Sequence, residues 1–168
     1  MKKAWILVFV FACLFGLVGC DPSTNSIDAE ELLRNTEKIE LVHYENEHPK
    51  LVRLDGKHAP VFDSGKTTTI AVLDDAHMED VVQDIAQQQL LLWGRTVNEP
   101  VGKTLILYQR NGTMLVLFGC VYKNRIGVTK YFGSCNLYSQ DGTFMEYLGD
   151  IASDYVDILE LKYFKSNP

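Results

Sequence analysis

In the second half of the chain, sharp turn dipeptides punctuate apolar runs. Asn111-Gly112 separates residues 104–110 from 113–122, and Asp141-Gly142 separates 131–140 from 143–148. Both dipeptides accept the two positive φ values of a two-residue type I′ turn, so each flanking pair reads as a hairpin. Gly127, within residues 123–128, supplies a third reversal. The expected result is a four-stranded antiparallel meander, rich in β-branched and aromatic residues such as Ile106, Val116, Phe118, Val121, Tyr131, Phe132 and Tyr138.

Upstream, residues 39–45 (IELVHYE) and 68–73 (TTIAVL) read as further strands. Pro49, Gly56, Pro60 and Gly65 break the chain between them into loop, with a short strand at 51–54. After Asp74-Asp75, Met78, Val82 and Ile85 recur at helical spacing. The aspartates can cap that helix, and Glu79 and Asp80 suit its positive end. A last helix over 152–164 places Tyr155, Ile158, Leu159 and Lys162 three or four residues apart, and residues 28–35 add one turn before the first strand. Strands, helix, four strands and helix predict an α+β fold: a mostly antiparallel sheet with two helices packed on one face.

The meander raises a question of covering. With two-residue turns, one sheet face carries Leu105, Leu107, Met114, Val116, Phe118 and Leu137. The other carries Ile106, Tyr108, Leu115, Leu117, Phe132, Tyr138, Met145 and Tyr147. A sheet covered on one side should show a polar second face. Two apolar faces mean either cover on both sides or an exposed aromatic surface. In the second case Tyr108, Phe132, Tyr138 and Tyr147 form a candidate binding surface.

The N-terminus, MKKAWILVFVFACLFGLVGC, has a different pattern. Two lysines precede an uncharged apolar run over residues 4–18, shorter than the roughly 20 residues of a spanning helix and of signal-peptide length. Leu17-Val18-Gly19-Cys20 resembles the lipobox of bacterial lipoprotein precursors. That resemblance implies cleavage after Gly19 and a diacylglycerol on the Cys20 sulfur, which would place the protein on the extracytoplasmic side of a cell membrane. The expected organisation is a signal peptide over 1–19, a lipidated Cys20 with a polar tether over 20–36, and a single α+β domain over 37–168.

Removal of Lys2 and Lys3 takes the formal charge from −6 to about −8. An acidic domain is a poor partner for nucleic acid or for an anionic membrane surface, and its partners are expected to be the membrane, through the lipid on Cys20 alone, and a protein or small ligand.

The segment KIELVHYEN (residues 38–46) and the segment FDSGKTTTIAVLDDAHMEDVVQDIAQ (62–87), followed by a hairpin at Asn111-Gly112, are similar to those of a family of small uncharacterised bacterial lipoproteins. The likeness spans most of residues 38–148 and implies a fold and an address. It carries no catalytic motif and no functional residue.

Of the four cysteines, Cys13 lies in the signal segment and Cys20 in the lipobox, leaving Cys120 and Cys135. A two-residue reversal at Gly127-Val128 would set these two directly opposite each other, with Cα atoms ~4.5 Å apart in a non-hydrogen-bonded pair. A disulfide there would contribute about 2–3 kcal/mol. The alternative is two reduced, buried thiols acting as small hydrophobes. His43, His48, His58 and His77 form no compact ligand set, and His77-Met78-Glu79 lacks the Cys-x-x-Cys that completes a deaminase zinc site. Ser64-Gly65-Lys66-Thr67 is only the tail of a P-loop, with Pro60 where a glycine belongs. No catalytic pair, metal site or cofactor signature stands out. The reading expected to hold is a non-enzymatic binding or accessory domain. The rivals are a small hydrolase or metal-dependent enzyme built on scattered His and Asp/Glu, and a structural or inhibitor lipoprotein.

Overall fold

The computed structural model describes residues 23–46, 50–53, 59–92, 96–123 and 129–165. The segment expected as signal peptide, Cys20, His48, His58 and the reversal expected at Gly127-Val128 lie outside the described residues.

Ten strands and three helices follow in order: β1 (Ser23–Asn25), α1 (Ala29–Asn35), β2 (Thr36–Tyr44), β3 (Leu51–Arg53), β4 (Thr67–Val72), α2 (Met78–Ala86), β5 (Leu90–Leu92), β6 (Thr96–Asn98), β7 (Gly102–Gln109), β8 (Thr113–Lys123), β9 (Thr129–Ser139), β10 (Phe144–Ile151) and α3 (Tyr155–Leu159). Eight strands form one antiparallel sheet in the order β1-β5-β10-β9-β8-β7-β2-β4, and β3 pairs with β6 in a second, two-stranded sheet. The α+β class and the meander β7–β10 agree with the pattern of the sequence.

Both hairpins turn through three residues, not two. Gly112 N–H donates to Gln109 C=O at 3.0 Å and Gly142 N–H to Ser139 C=O at 2.9 Å, with the glycines at φ +83° and +86°. A type I turn followed by a left-handed glycine is the three-residue hairpin loop. Asn111 Oδ1 accepts from the N–H and hydroxyl of Thr113, and Asp141 Oδ1 from the Thr143 N–H and the Ser139 hydroxyl. The extra residue shifts the register by one, so Tyr108 faces Met114 and Tyr138 faces Phe144. A one-residue slip exchanges the faces of a strand. The expected face assignments are therefore corrected: Leu115 and Leu117 join Leu105 and Leu107, while Met114, Val116 and Phe118 join Ile106 and Tyr138.

The first of these faces is covered by three helices, one more than expected. Leu32 of α1, Val81, Val82 and Ile85 of α2, and Tyr155, Val156 and Leu159 of α3 pack on Leu105, Leu107, Leu115 and Leu117. Asp28 caps α1 by accepting from Glu31 N–H at 3.0 Å, and Asp74 accepts from His77 N–H at 3.1 Å in the turn that leads into α2. After α3 the chain widens into a π-helical turn, Glu160–Phe164. Tyr155, Val156 and Leu159 face inward, and Ile158 is half exposed.

The second face is covered as well. Phe62 lies 5.3 Å from the Tyr44 ring and 5.8 Å from that of Tyr138, and β6 brings Asn98 C=O to within 3.4 Å of Asn136 Nδ2. Cover on both sides explains the two apolar faces. Ser23–Asn25, in the segment expected as tether, instead forms β1, and the turn expected over residues 28–35 is α1. β5 and β6 are too short, at three residues each, to show a period in the sequence.

Candidate functional site

At one end of the sheet the start of β7, the end of β8, the start of β9 and the N-terminal part of α3 surround an open cleft of about 510 Å³. This falls in the range of small-molecule sites. Val101, Val156 and Cys120 give it apolar surface, and Tyr131, 68% exposed, lines it. Lys103, Asp154 and Asp157 give it charge.

The cleft exists because the chain crosses the sheet between β10 and α3. Gly119 and Gly133 face each other on β8 and β9, and a Cβ on Gly119 would lie 2.1 Å from Ser153 C=O. Without side chains at these positions the crossing settles close onto the sheet and carries Ser153 and Asp154 to the cleft.

Lys103 is held in place rather than free. Its Nζ donates to Asp157 Oδ1 at 2.5 Å and to Glu160 Oε2 at 2.6 Å, and Lys165 reaches Glu160 Oε1 at 3.2 Å. The hydrogen bond from Lys103 holds the Glu160 carboxyl below the usual range, and the two carboxylates raise the Lys103 ammonium. With that lysine committed, Asp154 gives the lining a net negative character among the described residues.

Cys120 is buried, and burial, reinforced by the charge of Asp150, pushes its thiol up to about 12. Asp150 itself is raised by burial. A nucleophilic cysteine needs the opposite environment, one that favours the thiolate.

Cys120 and Cys135 are not bonded. The β8–β9 ladder sets Cys120 opposite Phe132 and Cys135 opposite Leu117, an odd shift from the expected register that sends the two thiols to opposite faces. Both are free and buried. Of the two alternatives that the sequence left open, the structure has the two reduced, buried thiols.

The aromatic surface does not form either. Tyr138 is fully buried in the second core, where its hydroxyl accepts from Asn136 Nδ2 at 3.2 Å. Tyr108 is half-buried beside Lys38, whose Nζ lies 5.3 Å from its ring centre; burial and the neighbouring Glu40 raise its hydroxyl pKa. Phe132 packs against the second core, and Tyr147 hydrogen-bonds Leu91 C=O at 3.3 Å. Tyr108, Phe132 and Tyr138 share the second core, whose cover keeps them from forming an open surface, and Tyr147 reaches β5 instead.

His43 is exposed on β2, and His77 pairs its Nδ1 with Asp74 Oδ1 at 2.6 Å. Among the described residues no group of three or more His, Cys, Asp or Glu side chains could hold a metal ion. A further polar cluster joins α2 to the π-helical turn: Asp84 Oδ2 accepts from Lys162 at 2.7 Å and from the Tyr163 hydroxyl at 2.6 Å. Sequence reasoning missed this clasp and the Lys103–Asp157–Glu160 cluster. Their members are separated by more than fifty residues, beyond the reach of any local pattern.

No helix among the described residues is long and apolar enough to cross a membrane. No protein-family model matches the chain, and neither a curated protein nor a solved structure matches it.

Proposed function

We propose that the chain is the precursor of a lipid-anchored extracytoplasmic binding domain, resembling the small bacterial lipoproteins, that takes an amphipathic organic cation in the cleft beside α3. The cleft carries this reading. An exposed Tyr131 offers a ring face, Val101 and Val156 take an apolar body, and Asp154 faces the positive group. The lipobox at Cys20 supplies the anchor, and the acidic mature chain suits a cationic rather than an anionic ligand.

A thermal-shift panel of aryl-alkyl amines, matched carboxylates and short lysine- or arginine-bearing peptides tests the proposal. Stabilisation by the amines or the basic peptides, lost in Tyr131→Ala and weakened in Asp154→Asn, is the expected outcome, and the responding class shows whether the cation is free or part of a partner. Equal responses to amines and carboxylates, or full binding by Tyr131→Ala, would reject the cleft as the site.

A further inference from the structure

The sheet begins three residues after Cys20, and this short separation decides how an anchored domain stands on its membrane. β1 is the outermost strand, with Ser23, Thr24 and Asn25 paired to Leu92, Leu91 and Leu90 of β5. Asn25 Nδ2 also donates to Leu148 C=O of β10 at 3.2 Å, so the strand is tied to the body of the sheet. Three steps of chain reach at most ~11 Å. A lipid on Cys20 therefore holds the β1 edge at the headgroups.

Chemistry and charge agree with this contact. Ser23 and Thr24 are exposed hydroxyl residues, which can hydrogen-bond lipid headgroups without charge repulsion. The helix layer on the first face instead exposes Glu30, Glu31, Glu79 and Asp80, against Arg34 and the Asp84-paired Lys162. Anionic lipid repels that layer and opposes the domain tipping onto it.

We infer that the β1 edge is a membrane-contact surface and that the domain stands edge-on upon a phospholipid bilayer. This rests on the reading of Cys20 as the lipidated residue. The opposite edge, β4, then stands seven strand spacings away, ~34 Å at ~4.8 Å each. The cleft, built on β7–β9, is held ~14–24 Å from the headgroups.

The test uses the full chain, processed in cells, purified and reconstituted into phosphatidylethanolamine–phosphatidylglycerol vesicles that carry a nitroxide headgroup quencher. Thr24→Cys, Thr69→Cys and Asp80→Cys each introduce one exposed labelling site, while Cys120 and Cys135 are buried. The Thr24 label should lose most of its fluorescence, and the Thr69 and Asp80 labels should lose none. A Gly-Ser spacer of roughly ten residues before Ser23, long enough for a coil of ~15–20 Å, should restore the Thr24 signal. With Cys20 lipidated, equal quenching at Thr24 and Thr69, or none at Thr24, overturns the edge-on arrangement and leaves the anchor standing. Absence of diacylglycerol from Cys20 by mass spectrometry overturns the anchor, and the inference with it.

Discussion

Gly119 and Gly133 face each other across the β8–β9 ladder, and together they let the chain between β10 and α3 cross the sheet in close contact. A Cβ on Gly133 would lie 2.6 Å from Ile151 Cγ1 and 2.7 Å from Ala152 C=O. Neither glycine has a positive φ, so the requirement is space rather than backbone freedom. Gly119→Ala and Gly133→Ala should each destabilise the domain by about 1–3 kcal/mol, as overpacking does. Urea unfolding measures the loss. Gly112→Ala offers a contrast, because nothing lies within 4 Å of its Cβ and only its φ of +83° resists the change. A loss at Gly119 no greater than at Gly112 would show that the crossing relaxes freely.

The second core contains a polar ladder whose members satisfy one another. Ser134 Oγ donates to Asn136 Oδ1 at 3.1 Å, and Asn136 Nδ2 donates to the Tyr138 hydroxyl at 3.2 Å and to Asn98 C=O at 3.4 Å. Asn136→Ala removes the hub and strands buried partners, which should cost about 1–3 kcal/mol. Tyr138→Phe deletes one bond and leaves the hub. A double-mutant cycle should show coupling between them. Strictly additive losses would mean that the ladder is not cooperative.

The two thiols should behave as buried hydrophobes. At neutral pH neither Cys120 nor Cys135 should react with Ellman's reagent in the folded domain, because both are buried and burial raises both thiols. Unfolding without reductant should release both. Peptide mapping that finds a Cys120–Cys135 disulfide in the secreted protein would contradict the β8–β9 register.

Acid should weaken the contact between α3 and β7. The hydrogen bond from Lys103 lowers the folded-state pKa of Glu160, so its contribution is present above the unfolded value and is lost as pH falls through the folded one. Lys103→Met should therefore destabilise the domain at neutral pH. The difference from the parent chain should shrink below the ordinary glutamate range of ~4.3 as Glu160 protonates in both. Chemical denaturation across pH checks the sign, and a difference that grows in acid would contradict it.

Local patterns located most of the long elements. Asp74 beside a Met78–Val82–Ile85 stripe marked α2, because capping and helical periodicity act within a few residues. Asn111-Gly112 and Asp141-Gly142 marked both hairpins, since the positive φ at each glycine is a local property. The same dipeptides serve two-residue and three-residue turns alike, so they could not set the register. One residue of difference exchanged the faces of β8, while the cover of Phe62 and β6 over the second face turned the expected Tyr138 surface into core.

The sequence by itself determined the α+β class, the meander and the α2 helix, all of which depend on neighbours along the chain. Tertiary structure decided what depends on distant partners. Leu90–Leu92 became a strand because β1 and β10 flank it. Ser23–Asn25 became an edge of the sheet rather than a tether, because β5 offered it an unpaired ladder. The cleft and its Lys103–Asp157 wall join residues fifty-four positions apart, and only the packing of α3 on the sheet brings them together.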